Sequence, residues 1–152
     1  TATRSTMGAS LSGSFKWVGG VIAPNGKIYC IPNNANDVLI IDTNSGTASR
    51  SAMGANLTAG SKYFGGVLGP DGKIYGMPRS NNDVLVIDPE LDTATTSTFG
   101  VSMSGTNKFY GGALGADGNI YAMPFNSSEV LTLSQGAPGP QQAISSAWTN
   151  KL

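Results

Sequence analysis

The stretch Lys16-Trp17-Val18-Gly19-Gly20-Val21 returns as Lys62-Tyr63-Phe64-Gly65-Gly66-Val67 and again as Lys108-Phe109-Tyr110-Gly111-Gly112-Ala113, so the three lysines fall 46 residues apart with no gap. Of the 27 positions from Lys16 to Asp42, 16 are identical in Lys62 to Asp88, far above what shared composition would produce. A fixed period of this size is the mark of a repeat architecture. The register also runs upstream. Thr1-Ala2-Thr3-Arg4-Ser5-Thr6-Met7-Gly8 matches Thr47-Ala48-Ser49-Arg50-Ser51-Ala52-Met53-Gly54 and Thr93-Ala94-Thr95-Thr96-Ser97-Thr98-Phe99-Gly100. Residues 1–14 therefore read as an outer strand and loop, 15–60 and 61–106 as two full repeats, and 107–134 as a partial third. After Ser134 the pattern is lost, and the Gly/Pro-rich run from Gln135 to Pro140 reads as a linker into a tail, residues 135–152 in all.

Within each unit, β-rich runs alternate with turn residues and no sustained 3.6-residue period occurs, which predicts an all-β chain. Four strands are expected per unit: Trp17 to Ala23, Lys27 to Ile31, Asp37 to Ile41 and Thr47 to Met53. Between the first two sits Pro24-Asn25-Gly26, with Pro70-Asp71-Gly72 and Ala116-Asp117-Gly118 as its copies. Proline presets the second position of a type I turn and glycine accepts the left-handed position that ends it, so a tight hairpin follows. The third strand is apolar at successive positions, as a strand buried on both faces should be. The fourth is rich in Thr and Ser, which suits a solvated edge.

Four-stranded meanders repeating every 40–50 residues are what a β-propeller blade requires, with a flat solenoid as the competing arrangement. The motif Lys-aromatic-x-Gly-Gly, then Pro-(Asn/Asp)-Gly-Lys-Ile-Tyr, then Asp-Val-Leu-x-Ile-Asp resembles repeats of uncharacterised bacterial and protist propeller-like proteins. Phe15-Lys16, Pro24-Asn25-Gly26 and Ile28-Tyr29 also resemble the blades of tachylectin-2-type lectin propellers, a resemblance that implies sugar binding. It spans residues 1 to 134. Twelve strands, or three blades, are too few to close a ring, so oligomerisation is expected: two chains would give six blades and three would give nine. In such a ring Thr1, Ala2, Thr3, Arg4, Ser5, Thr6 and Met7 would complete the last blade of a neighbouring chain. The alternatives are an excised piece of a longer propeller, and a fourth strand supplied by Gln141 to Ser146.

Composition narrows the function. The chain of 152 residues has 9 basic and 9 acidic side chains, one cysteine and no histidine. A histidine-based triad, a Cys/His zinc cage and an intrachain disulfide are excluded, and a net charge of zero offers no field to attract nucleic acid. No run reaches the ~18 apolar residues of a membrane span, so no membrane insertion is expected. No cofactor or metal is implied, because no Asp-x-Asp-x-Asp spacing supports calcium. The chain is read as a non-enzymatic recognition module, extracellular or cell-surface, with a structural or protein-interaction propeller without a sugar site as the alternative and a hydrolase or lyase in a central channel as a lesser one.

In an antiparallel meander one rim carries the short hairpins. The other carries the long loops, Gly8 to Lys16 with its copies and the loop between the second and third strands. Variation concentrates in those long loops, where binding is usually placed. The candidate ligand-binding residues are Lys16, Trp17, Asn34, Asn36, Lys62, Tyr63, Arg79, Asn82, Lys108, Phe109 and Asn126. Aromatic planes cover the apolar face of a pyranose while amides and hydroxyls meet its hydroxyls, so a glycan partner is expected. The competing reading packs Trp17, Tyr63 and Phe109 between blades, with the lysines covering their edges. Cys30 aligns with Gly76 and Ala122, a position that wants a small buried residue.

Overall fold

In the computed structural model, which describes residues 1–135, strands form where β-branched and aromatic residues lie between turn residues. β1 (Trp17–Ile22), β2 (Lys27–Pro32), β3 (Val38–Asp42) and β4 (Thr47–Ser51) make one antiparallel meander, hydrogen-bonded in chain order. β5 (Tyr63–Leu68), β6 (Ile74–Pro78), β7 (Val84–Asp88) and β8 (Thr93–Ser97) make a second of the same form. β9 (Phe109–Leu114), β10 (Ile120–Pro124) and β11 (Leu131–Leu133) make a third sheet, three-stranded among the described residues. The tail and the expected strand at Gln141 to Ser146 lie outside the described residues.

Among the described residues eleven strands stand where twelve were expected, because Thr1 to Met7 forms none. Its copies β4 and β8 each pair with the third strand of their own meander, β3 and β7, and among the described residues no third strand pairs with Thr1 to Met7. Thr1 to Thr6 are exposed in consequence. Only Met7 keeps its repeat position: its carbonyl accepts from Ala48 N–H at 2.7 Å, as the Met53 carbonyl accepts from Ala94 at 2.6 Å.

The hairpins follow the turn chemistry. Gly26, Gly72 and Gly118 sit at φ of 79°, 81° and 82°, and their N–H groups close the turns onto Ala23, Gly69 and Gly115. Asn25, Asp71 and Asp117 accept from the N–H two residues on, at 3.1, 3.2 and 3.1 Å. Asp42 and Asp88 cap the β3–β4 and β7–β8 turns by accepting two backbone N–H bonds each.

The core lies between the sheets. Ile31 and Val38 of the first sheet meet Tyr63, Ile74 and Leu85 of the second, with Leu57 of the connecting loop between them. Met77 and Val84 of the second meet Phe109, Ile120 and Leu131 of the third, with Met103 in the equivalent loop position. Side chains of this size contribute about 1.5–3 kcal/mol each when fully buried. The sheets converge at Gly19, Gly65 and Gly111: a Cβ on Gly19 would stand 3.1 Å from the Gly65 Cα, and one on Gly65 would stand 3.1 Å from the Gly111 Cα. Glycine is required there because backbone meets backbone.

Candidate functional site

The long-loop rim is built by the segments entering β1, β5 and β9 and by the loops leaving β2, β6 and β10. The lysines do not project from it. Lys62 is fully buried, and its Nζ donates to the carbonyls of Asn33, Ala35 and Ala59. Lys108 is buried too and donates to the Gly105 carbonyl at 2.9 Å and to Asn82 Oδ1 at 3.4 Å. Burial pushes both ammonium groups below the usual lysine range, opposed by the Asp37 and Asp83 carboxylates respectively. Lys16 is half-buried and holds the carbonyls of Leu11 and Gly13 in its own loop. These lysines clamp loops onto the sheets, and neither Lys62 nor Lys108 is free to meet a ligand.

The aromatic rings that follow them divide in the same way. Tyr63 is 0% and Phe109 4% exposed, so neither face can cover a sugar ring, and the interior packing role applies to both. The Tyr63 hydroxyl donates to Asp83 Oδ1 at 2.7 Å, and burial with that bond pushes its ionisation far up. Trp17 stays half-buried, its Nε1 donating to the Asp37 carbonyl at 2.8 Å with the Arg50 guanidinium 5.3 Å from the ring centre.

What remains open is the polar rim. A cleft of about 240 Å³ is lined by Ser12, Ser14, Lys16, Asn34, Asn36 and Arg50. A larger one of about 440 Å³ is lined by Ser104, Thr106, Lys108, Asn126 and Ser128, the same positions two repeats further on, and continues along Glu129, Val130 and Thr132. Asn34, Asn36 and Asn126 are exposed at these clefts. Asn34 is partly committed, since its Oδ1 accepts from Ser61 N–H at 2.8 Å. Asn82 is exposed and Arg79 half-buried.

Sequence reasoning missed a column of rings. Phe64 stacks on Tyr110 at 4.2 Å between centroids and Tyr110 on Phe125 at 4.1 Å, both within 3° of parallel. Arg79, expected at the ligand, lies over Tyr110 at 5.5 Å and donates through Nε to Asn107 Oδ1 at 2.7 Å. Its sequence signal is the second aromatic of Tyr63-Phe64 and Phe109-Tyr110, which Val18 interrupts in the first copy. Asn33 was missed as well. It is fully buried, and its side chain donates to the Tyr63 carbonyl at 2.8 Å.

The carboxylates serve structure. Asp37 takes a two-nitrogen grip from Arg50, with Nη2 2.8 Å from Oδ2, and Asp83 accepts from Tyr63 and Asn81. Backbone N–H bonds from Ser45 and Asn44 hold the Asp42 carboxyl below its ordinary range. Burial pushes the half-buried Cys30 thiol up, away from the reactive thiolate. Among the described residues no cluster of three metal-ligating side chains occurs.

No family model and no curated protein matches the chain. Solved structures do. A virginiamycin B lyase from Staphylococcus aureus matches 88% of this chain over 45% of its own, with 15% identity and a TM-score of 0.63. A streptogramin B lyase matches 82% over 41%, with 14% identity and a TM-score of 0.58. An auxiliary nutrient binding protein from Bacteroides ovatus matches 76% over 28%, with 16% identity and a TM-score of 0.56. The chain thus spans less than half the length of each. At these identities the likeness is one of fold alone: an all-β chain of antiparallel meanders forming part of a β-propeller.

Proposed function

We propose that the chain is a non-enzymatic recognition module that binds carbohydrate through the clefts of the long-loop rim. The observation that supports this reading is the recurrence of one cleft at repeat-related positions. Ser12, Ser14, Asn34 and Asn36 in the first copy answer to Ser104, Thr106, Asn126 and Ser128 in the third. Short hydroxyl and amide side chains provide donors and acceptors for sugar hydroxyls, and the charged groups beside them, Lys16 and Arg50 in one cleft and Lys108 and Glu129 in the other, are of both signs or already engaged within the chain. Repetition lets weak sites act together by raising the effective concentration of each further engagement. The reading places the module outside the cell or on its surface, as a lectin-like adhesin or fibre tip, in a ring finished by copies of the chain. It no longer depends on aromatic stacking by Tyr63 and Phe109, and polar contacts carry the recognition.

A lyase is the second reading, favoured by the two lyases of similar fold. One of those is described as inactive when a histidine is replaced by alanine, and this chain has no histidine. A glycan array tests the first reading. Binding should be present in the unmodified protein and lost, with folding intact, when Asn34, Asn36, Asn126 and Ser128 are all replaced by alanine. An array without binders, with a protein partner recovered instead, supports a protein-interaction propeller.

A further inference from the structure

The two ends of the row of sheets are open in complementary ways. In the first two sheets the face turned to the next sheet is sealed: Ile31, Val38, Met77 and Val84 are all 0% exposed. The same positions in the third sheet are Met123 and Val130, 43% and 55% exposed. At the other end, Ile74 and Ile120 are 0% exposed where the second and third sheets receive their predecessors, and Ile28 at the same position of the first sheet is half-exposed. Met7 and Leu11, copies of the buried Met53 and Leu57, are half-exposed beside it.

Hydrogen bonding shows the same gap. Lys62 N–H donates to the Asn33 carbonyl at 3.0 Å and Lys108 N–H to the Arg79 carbonyl at 2.8 Å, joining each sheet to the one before it. Among the described residues, Lys16 N–H and the Phe125 carbonyl, the corresponding pair, have no such backbone partner. Gly111 likewise has open space where Gly19 and Gly65 each meet the next glycine.

We infer that a second copy of this chain occupies the open face of the third sheet, docking its first sheet there head to tail and repeating the contact already made twice within the chain. This rests on the ring named in the proposed function and specifies its contact, and it is independent of glycan binding, which the mass measurements below do not read. The cover that seals the first two sheets is the same repeated unit, so the unit that fits the third is the first sheet of another copy. The second copy also contributes to the larger cleft. By the register of β8 on β7, which sets Leu85 opposite Thr96 and Asp88 opposite Thr93, its Thr1 to Ser5 lies along β11 with Arg4 opposite Leu131. Leu39 stands opposite Arg50 in the first sheet, where Arg50 grips Asp37. Arg4 of the second copy therefore reaches Glu129, the copy of Asp37. The third cleft gains the basic side chain that Arg50 gives the first. Lys16 of the second copy reaches the carbonyls of Phe125 and Ser127, as Lys62 reaches those of Asn33 and Ala35.

Two single-face variants test this. Met123→Glu with Val130→Glu blocks the third-sheet face, and both residues are exposed, so the fold is left intact. Ile28→Glu blocks the first-sheet face; Lys16→Glu, set against Glu129 of the neighbour, serves if that variant does not fold. Light scattering should give the unmodified protein a mass at least twice the 15.5 kDa of one chain. Each variant alone should have the mass of one chain, and a mixture of the two should have that of two chains, because one live face of each kind remains. A single-chain mass for the unmodified protein overturns the inference, as does a variant that self-associates or a mixture in which no complex forms.

Discussion

Lys62 shows how a charged residue becomes interior structure. Its ammonium is out of water but sits among three carbonyls of loops that would otherwise carry unsatisfied acceptors, so removing it exposes a polar cost rather than relieving one. Lys62→Met, which keeps the length and apolar stem, should lower unfolding stability by about 2 kcal/mol, read by urea denaturation. In the dissociated single chain, Lys16→Met should cost less than ~1 kcal/mol, because there Lys16 is half-exposed and ties its own loop. Equal losses at the two positions would show that burial does not distinguish them. A lysine beside an aromatic reads as a sugar site or as a packed edge with equal ease, since residue type does not state which side of a sheet gains a neighbour.

At the level of the strands, close packing decides what each position tolerates. A Cβ on Gly66 would stand 2.8 Å from the Ile31 Cδ1, and Ile31 is fully buried between two sheets with no room to turn away. Gly66→Ala should therefore cost about 1–3 kcal/mol by overpacking. Gly20→Ala should cost less, because there only Ile28 must give at 3.0 Å and it is half-exposed. Thermal melts of the two variants give the comparison, and an unchanged melt for Gly66→Ala would contradict the packing described.

The strands themselves were legible in the sequence: the runs beginning at Trp17, Lys27 and Thr47 start at the expected residues, and the hairpins close where Pro-Asn-Gly placed them. Both signals are local, arising from turn chemistry and alternation within a few residues. Thr1 to Ser5 differs from β4 only in Thr3 for Ser49 and forms no strand, because an edge strand exists only against a partner that its own residues do not supply. Of the site, exposed Asn36 and Asn126 were legible as variable loop amides. The burial of Tyr63 and the Phe64–Tyr110–Phe125 column depend on which sheet lies opposite, which no single repeat records.

For the whole molecule, the proposed assembly and the proposed binding have one origin in the repeat. The unit that seals its neighbour's face carries a polar cleft at the rim in the first and third copies, so a longer row would gain stability and valence together. The cleft residues of the first and third copies correspond without being identical, since Ser14 and Asn36 in one answer to Thr106 and Ser128 in the other. Sites of the same chemistry but unequal affinity are expected. Calorimetric titration with a glycan that binds on the array measures this most directly. The account predicts more than one site per chain, with Asn34→Ala and Asn126→Ala each removing a separate part of the binding. A single site per chain, or binding untouched by both substitutions, would contradict it.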